Sequence, residues 1–414
     1  MLLVLAVAYV ALTTVDVALA GVPLKVPTVG AALLAWLWAR ESRPHPGDYL
    51  VSWSVVGFGV VVPVVWLAVA LRRADGASDE VVRYALQESS RFTYVLLFFP
   101  LIDWIERHRD GHRIWLVPVF ALCGLTWAFY LGHAVLGIDF GQTGQVGPFR
   151  GAIAVDATGV FRSYLIDDVL FIPALGLVLG RIAVRGLDGR GLLELTALLT
   201  ALYLAHTRGL WLAVSVAVVS IAAALMPWPA RARPALPALL LAGYIALLFA
   251  NAAPHAVRDV VSPLLDRNEL SLSQRLDQGD ELWAAFTARP AVGSGMGATL
   301  PSGFRRNEEN PWSFELTWLQ LLFQLGVAGV ALVLAAPILA AARTLRAVRG
   351  ADRVTRLSAA AAVGSLAGFL LACASNPYLT TSVGTLCLAI LLAMCHDAIA
   401  ARRTLSVRPD PHRA

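Results

Sequence analysis

The sequence predicts an all-α integral membrane protein with about twelve transmembrane helices and one large extracytoplasmic loop containing a short amphipathic helix. Three observations carry this expectation. Of 414 residues, 58% are hydrophobic and 15% charged, with a mean hydropathy of +0.67; soluble domains carry about 25% charged residues. Apolar runs of spanning length recur along the whole chain. One stretch, 252–315, breaks the pattern with six arginines (Arg258, Arg267, Arg275, Arg289, Arg305, Arg306) among nine carboxylates. A connection that long is usually functional, since structureless links beyond about 15 residues are uncommon.

At about 20 apolar residues per span, the runs fall at approximately 1–20, 24–39, 50–71, 92–105, 114–137, 164–180, 190–205, 209–226, 235–251, 316–342, 357–375 and 378–400. The first run ends in Ala18-Leu19-Ala20, which is similar to a signal-peptidase site. No basic residue precedes it and Asp16 interrupts its end, so it reads as a span. The expectation is one polytopic domain, 1–414, with 252–315 joining spans nine and ten.

Basic residues set orientation. Short connections hold Arg40/Arg43, Arg107/Arg109/Arg113, Arg181/Arg185/Arg190, Arg231/Arg233, five arginines from Arg343 to Arg356, and Arg402/Arg403/Arg408/Arg413 in the tail. That set has 19 of the 33 basic residues. It marks a cytoplasmic face of an inner (cytoplasmic) membrane, with both termini inside and the long loop outside. The formal charge of +5 comes from 32 arginines and Lys25. Because they lie between apolar runs rather than in one stripe, they reflect topology and not nucleic-acid binding. Cys123, Cys373, Cys387 and Cys395 sit in or beside apolar runs without metal-ligand spacing, and read as small hydrophobes.

Within the long loop, Ser271 followed by Gln274 has the pattern of a capping box. Leu272, Leu276, Trp283 and Phe286 follow at helical spacing, and Pro290 stops the helix before Gly293-Ser294-Gly295-Met296-Gly297. The expectation is an amphipathic helix on the outer membrane surface, then a flexible turn. No Gly-Lys-Ser/Thr follows these glycines, so they form no phosphate loop of the Walker kind.

Four residues stand out for chemistry. Arg208 lies in the tight turn His206-Thr207-Arg208-Gly209 between two spans, on the face where short-loop arginine is disfavoured. Flanking arginines commonly snorkel as anchors, but an ionisable group held against a bundle is expensive and tends to be functional. Arg275 reads either as a charge on the solvated side of the loop helix or as functional, and Arg162, ahead of the span at Tyr164, either as a simple flank or as functional. Glu315 sits where the loop enters span ten. It either favours the positive helix end or serves as a general base, its pKa set between burial and nearby arginine. Asp167-Asp168, near the outer end of a span, could bind a cation, but two adjacent carboxylates point apart on a helix; His133 and His206 are not spaced as metal ligands, and no metal site is expected.

The segment Thr207-Arg208-Gly209-Leu210-Trp211-Leu212-Ala213 resembles the Ser/Thr-Arg-Gly-x-Trp-Leu-Ala element of the O-antigen ligase and polymerase superfamily. Ser273-Gln274-Arg275 through Trp283, then Arg289-Pro290 to Gly297, is similar to that family's outer-loop pattern. Leu319 to Gly329 resembles its next helix. The order of the three elements, over about 150–330, joins them. The resemblance implies a membrane glycosyltransferase acting on a polyprenyl-diphosphate-linked glycan donor and a glycan or lipid acceptor among membrane lipids. It needs neither nucleotide-sugar, metal nor cofactor, because the lipid diphosphate is an activated leaving group. Arg208 and Arg275 take the places of the diphosphate-contacting arginines, with Arg162 a third contact and Arg289 on the substrate side. Ligases of this family show His-Asn where this chain has Glu315-Leu316, which leaves room for a polymerase or a different acceptor. A polysaccharide or lipid transporter, and a non-catalytic partner of an assembly machine, are the alternatives from other classes.

Overall fold

In the computed structural model the described residues are 2–11, 18–19, 22–23, 25–39, 49–73, 79–108, 111–138, 145–146, 149–155, 161–205, 207–225, 270–304, 311–349, 351–374 and 376–406. The side chains of Arg162, Arg208 and Arg275 lie outside this description, as do the expected span 235–251 and the first part of the long loop.

The architecture is helical. In order come α1 (Leu2–Ala11), α2 (Lys25–Ala39), α3 (Tyr49–Arg73), α4 (Asp79–Phe92), α5 (Phe98–Arg107), α6 (Arg113–Leu136), α7 (Phe171–Arg185), α8 (Gly189–Ala205) and α9 (Arg208–Leu225). After the undescribed segment follow α10 (Leu270–Thr287), α11 (Thr317–Ala347), α12 (Arg353–Ala372) and α13 (Ser382–Ser406). Among the described residues five stretches are long and apolar enough to cross a membrane: α3, α6, α11, α12 and Ser382–Ala400 of α13. Leu2–Ala11, Lys25–Ala39 and Gly209–Leu225 are shorter apolar helices.

Among the described residues two small sheets add to the helical plan. Ala18–Leu19 pairs with Val22–Pro23, and Gln145–Val146, Phe149–Val155 and Phe161–Leu165 form an antiparallel meander. The expected span 164–180 therefore opens as the end of a strand and a 3₁₀ turn, Ile166–Leu170, before α7 begins at Phe171. The expected loop 72–91 likewise contains a helix, α4, which runs through the 3₁₀ turn Thr93–Leu97 into α5.

The core is organised on α13, whose residues from Val383 to Cys395 are all buried. Small residues let neighbouring helices approach closely, as membrane bundles require where packing replaces hydrophobic driving force. A Cβ on Gly368 of α12 would sit 2.2 Å from the Ala213 carbonyl oxygen of α9, and one on Gly364 would sit 2.6 Å from Ser220. On the other side, Gly176 and Gly180 of α7 meet Ser365 and Ala361. Rising numbers on α7 and α9 meet falling numbers on α12, so both run antiparallel to it. Their N-terminal ends therefore lie beside the C-terminal end of α12.

The α11 stretch is two helices. Gly326, with φ 64° and ψ −175°, interrupts it, a conformation open essentially to glycine alone. A break inside an apolar helix frees carbonyls on one side and amides on the other. Here the turn after α10 takes them up. The Ser294 and Gly295 amides donate to the Phe323 and Gln324 carbonyls, both at 2.8 Å. The Pro290 and Ala291 carbonyls accept from Val327 and Ala328 at 2.8 and 3.1 Å. Non-helical backbone at such a position is tolerated where protein buries it.

Candidate functional site

One end of the bundle gathers the residues that the sequence singles out. The backbone of Arg208 opens α9 immediately after Thr207, which is buried and whose carbonyl accepts from Leu210 and Trp211 at 3.0 and 3.2 Å. This N-terminus lies beside the C-terminal end of α12. At the same end, Thr317 Oγ1 donates to the Asn376 carbonyl at 2.7 Å and Trp318 Nε1 to the Leu370 carbonyl at 3.2 Å. The starts of α9 and α11, with Arg208 and Glu315, thus share one end of the molecule. Arg162 is on the strand leading to the start of α7, and that start joins the same end.

Glu315 lies two residues before α11, not in its first turn, and is half-buried. Its segment is held by amides of other elements. Gln278 of α10 is buried, and its Oε1 accepts from the Glu315 and Leu316 amides at 2.9 and 3.2 Å. Gln320 Oε1 accepts from the Phe314 amide at 3.0 Å, and Gln324 Nε2 donates to the Trp312 carbonyl at 3.3 Å. Trp312 also packs on Tyr84 of α4, with ring centroids 4.3 Å apart. The strap 311–316 is therefore fixed along its length.

The loop helix exists, and it has a protein partner. α10 begins at Leu270, one residue ahead of the expected cap Ser271, and the chain turns before Pro290 as expected. Leu282 and Phe286 are buried with Leu300, Phe314 and Phe323, so this face packs on the strap and the start of α11. Trp283, expected on the apolar face, is 53% exposed. Arg275 is on the N-terminal half of α10 and Arg289 is exposed beyond its end.

The glycine turn, expected to be flexible, is instead packed on three sides. Gly293, Gly295 and Gly297 all have positive φ. A Cβ on Gly295 would lie 2.7 Å from the Ala70 backbone of α3, and one on Gly297 would lie 2.5 Å from the Ala85 nitrogen of α4. Arg73 Nη1 donates to the Gly293 carbonyl, Trp66 Nε1 donates to the Val292 carbonyl at 2.9 Å, and Arg73 lies within electrostatic reach of Arg289. These glycines serve close backbone approach.

Sequence reasoning missed Glu88. It is fully buried on α4, accepting from the Gly297 amide at 2.5 Å and from Gln320 Nε2 at 3.0 Å. Burial pushes its carboxyl up to about 7, against the opposing pull of the Gly297 amide, Arg91 and the two glutamines. A signal was available: Ala85, Glu88, Ser89 and Phe92 share one face of a helix, and the other three are buried. Asp167 and Asp168, read as pointing apart on a helix, are both buried on the 3₁₀ turn, with Asp168 Oδ2 accepting from the Leu165 amide at 2.9 Å. Among the described residues no three His, Cys, Asp or Glu side chains converge as metal ligands.

A helical membrane protein whose polar groups meet at one end, around a strap braced by glutamines, is the class that fold and site define. Residues 195–334, from within α8 to beyond the break in α11, match the family model described as O-Antigen ligase. Over that stretch the chain is similar to the O-antigen ligase superfamily. Among curated proteins none matches it.

Proposed function

We propose that this protein transfers a glycan from a polyprenyl-diphosphate donor to an acceptor hydroxyl at the outer face of the inner membrane, during cell-surface polysaccharide assembly. The acceptor oxygen attacks the anomeric carbon, and its proton passes to Glu315. The bond from that carbon to the diphosphate oxygen breaks, and the diphosphate leaves with the bonding electrons. Arg208 and Arg275 hold the diphosphate, with Arg162 as a third contact and Arg289 toward the substrate. A guanidinium fork suits phosphate oxygens and stabilises charge developing on the leaving group.

The observation that carries this reading is the meeting of the α9 N-terminus, bearing Arg208, with the Glu315 strap at one end of the bundle. An N-terminal helix end favours an anion through its unpaired amides and its dipole. A half-buried carboxylate on a strap fixed by Gln278 and Gln320 is a positioned base. The Arg-dense connections at the opposite ends of α5 and α7 support an outward orientation for this end.

The test is incubation of the purified chain in lipid with lipid-diphosphate-linked oligosaccharide and candidate acceptors. Product from wild type, lost in Arg208→Ala and Glu315→Gln, supports both enzyme and site. Product retained in Glu315→Gln dismisses this base. A transporter is the second reading, favoured by the break in α11, since interrupted helices recur in transporters. Here the freed backbone groups are occupied by residues 290–295 of the same chain. Accumulation of the lipid-linked glycan in vesicles without a new glycosidic bond would favour it.

A further inference from the structure

We infer that Glu88 is a positioning residue for the transfer reaction, a buried carboxylate clamp that sets the strap carrying Glu315 by fixing the orientation of the Gln320 amide. The inference rests on the reading of Glu315 as the base.

One Glu88 oxygen takes the Gly297 amide and the other takes Gln320 Nε2. With its amide nitrogen so committed, Gln320 turns its Oε1 to the Phe314 amide, the residue before Glu315. Its nitrogen also donates to Gln324 Oε1 at 3.2 Å, and Gln324 then donates to the Trp312 carbonyl. Glu88, Gln320 and Gln324 are all fully buried, so no water replaces a lost partner, and each stranded group carries its full desolvation cost. A glutamine at 88 has no consistent solution. If Gln320 keeps its orientation, two amide nitrogens face each other. If Gln320 flips, its nitrogen faces the Phe314 amide.

Ionised Glu88 accepts twice, whereas the protonated acid presents a donor toward Gln320 or Gly297, which are donors themselves. The carboxyl sits at about 7, so the clamp tightens as pH rises through that value. Among the described residues the charged group acting on it is Arg91, on its own helix. The turn offers the Gly297 amide, and α11 offers Gln320 and Gln324.

The experiment compares wild type, Glu88→Gln and the exchanged pair Glu88→Gln/Gln320→Glu, in lipid, by two readouts. Hydrogen exchange of the peptide covering 311–320 reads the clamp whether or not a substrate is turned over. About tenfold faster exchange is expected in Glu88→Gln, with partial recovery in the exchanged pair, which restores a carboxylate facing an amide but leaves Gln324 Oε1 without its donor. Transfer activity reads the function. A fall in kcat of about tenfold at unchanged donor KM, and loss of the wild-type rise in kcat between pH 6 and 8, are expected in Glu88→Gln. Unchanged exchange overturns the clamp even if wild type proves inactive, the outcome that would instead sink the transferase reading. Faster exchange with unaltered kcat overturns the positioning role alone.

Discussion

Gly293 and Gly326 meet backbone to backbone: a Cβ built on Gly326 would sit 2.6 Å from the Gly293 nitrogen, and one built on Gly293 would sit 2.5 Å from the Gly326 nitrogen. Both have φ near +60°. The turn and the broken helix are thus one unit, since the four hydrogen bonds that repair the break require this approach. Gly326→Ala combines backbone strain with a clash and is expected to cost about 3 kcal/mol. A thermal melt in detergent checks it beside Gly124→Ala, at a helical glycine whose Cβ meets nothing within 4 Å. The control should melt no lower than wild type. Equal melts for the two variants would dismiss the unit.

Much of the helical plan could be read, and the candidates Arg208 and Glu315 picked out, because both depend on local signals. Apolar run length located helices such as α3, α6, α11, α12 and α13, and the Thr207-Arg208-Gly209 turn announced the start of α9. What stayed hidden depends on long-range pairing. The glycine turn reads as flexible until Gln324 and Ala85 are brought against it. Glu88 reads as part of a polar link until α4 packs under Gly297, more than two hundred residues away. The strands at 145–165 are short and carry no clean alternation, so Tyr164 and Leu165 passed for the start of a span.

Arg208→Lys keeps the charge and removes the fork. If the α9 N-terminus holds a diphosphate, a point charge cannot pair two phosphate oxygens at once. A loss of about 100-fold in kcat/KM is expected, read by product formation from the lipid-linked donor. An active Arg208→Lys protein would count against the site.

Gln278 separates the base from its support. Gln278→Leu strands the Glu315 and Leu316 amides while leaving the carboxylate in the chain. Loss of a buried acceptor for two donors is worth about 1–3 kcal/mol. The expectation is a kcat lowered about tenfold, well short of the 100-fold or more expected for Glu315→Gln if it is the base. Equal losses in the two variants would mean that Glu315 acts through the fold rather than through proton transfer.

Glu88 also sets a pH dependence of stability opposite in sense to that of activity. Its folded carboxyl is raised from 4.5 to about 7, so the native state holds a proton that the unfolded chain has already released. This contribution is fully present below about pH 4.5 and is lost as pH rises through 7. The difference amounts to about 3 kcal/mol. The melting temperature of wild type should therefore fall between pH 5 and 8, over the range in which the clamp ionises and kcat rises. Glu88→Gln has no such proton to lose, and its melting temperature should change less over that interval. Parallel wild-type and variant profiles would show that Glu88 titrates as an ordinary carboxylate. The protein would then carry a buried charge at no cost, which its burial beside two neutral amides argues against.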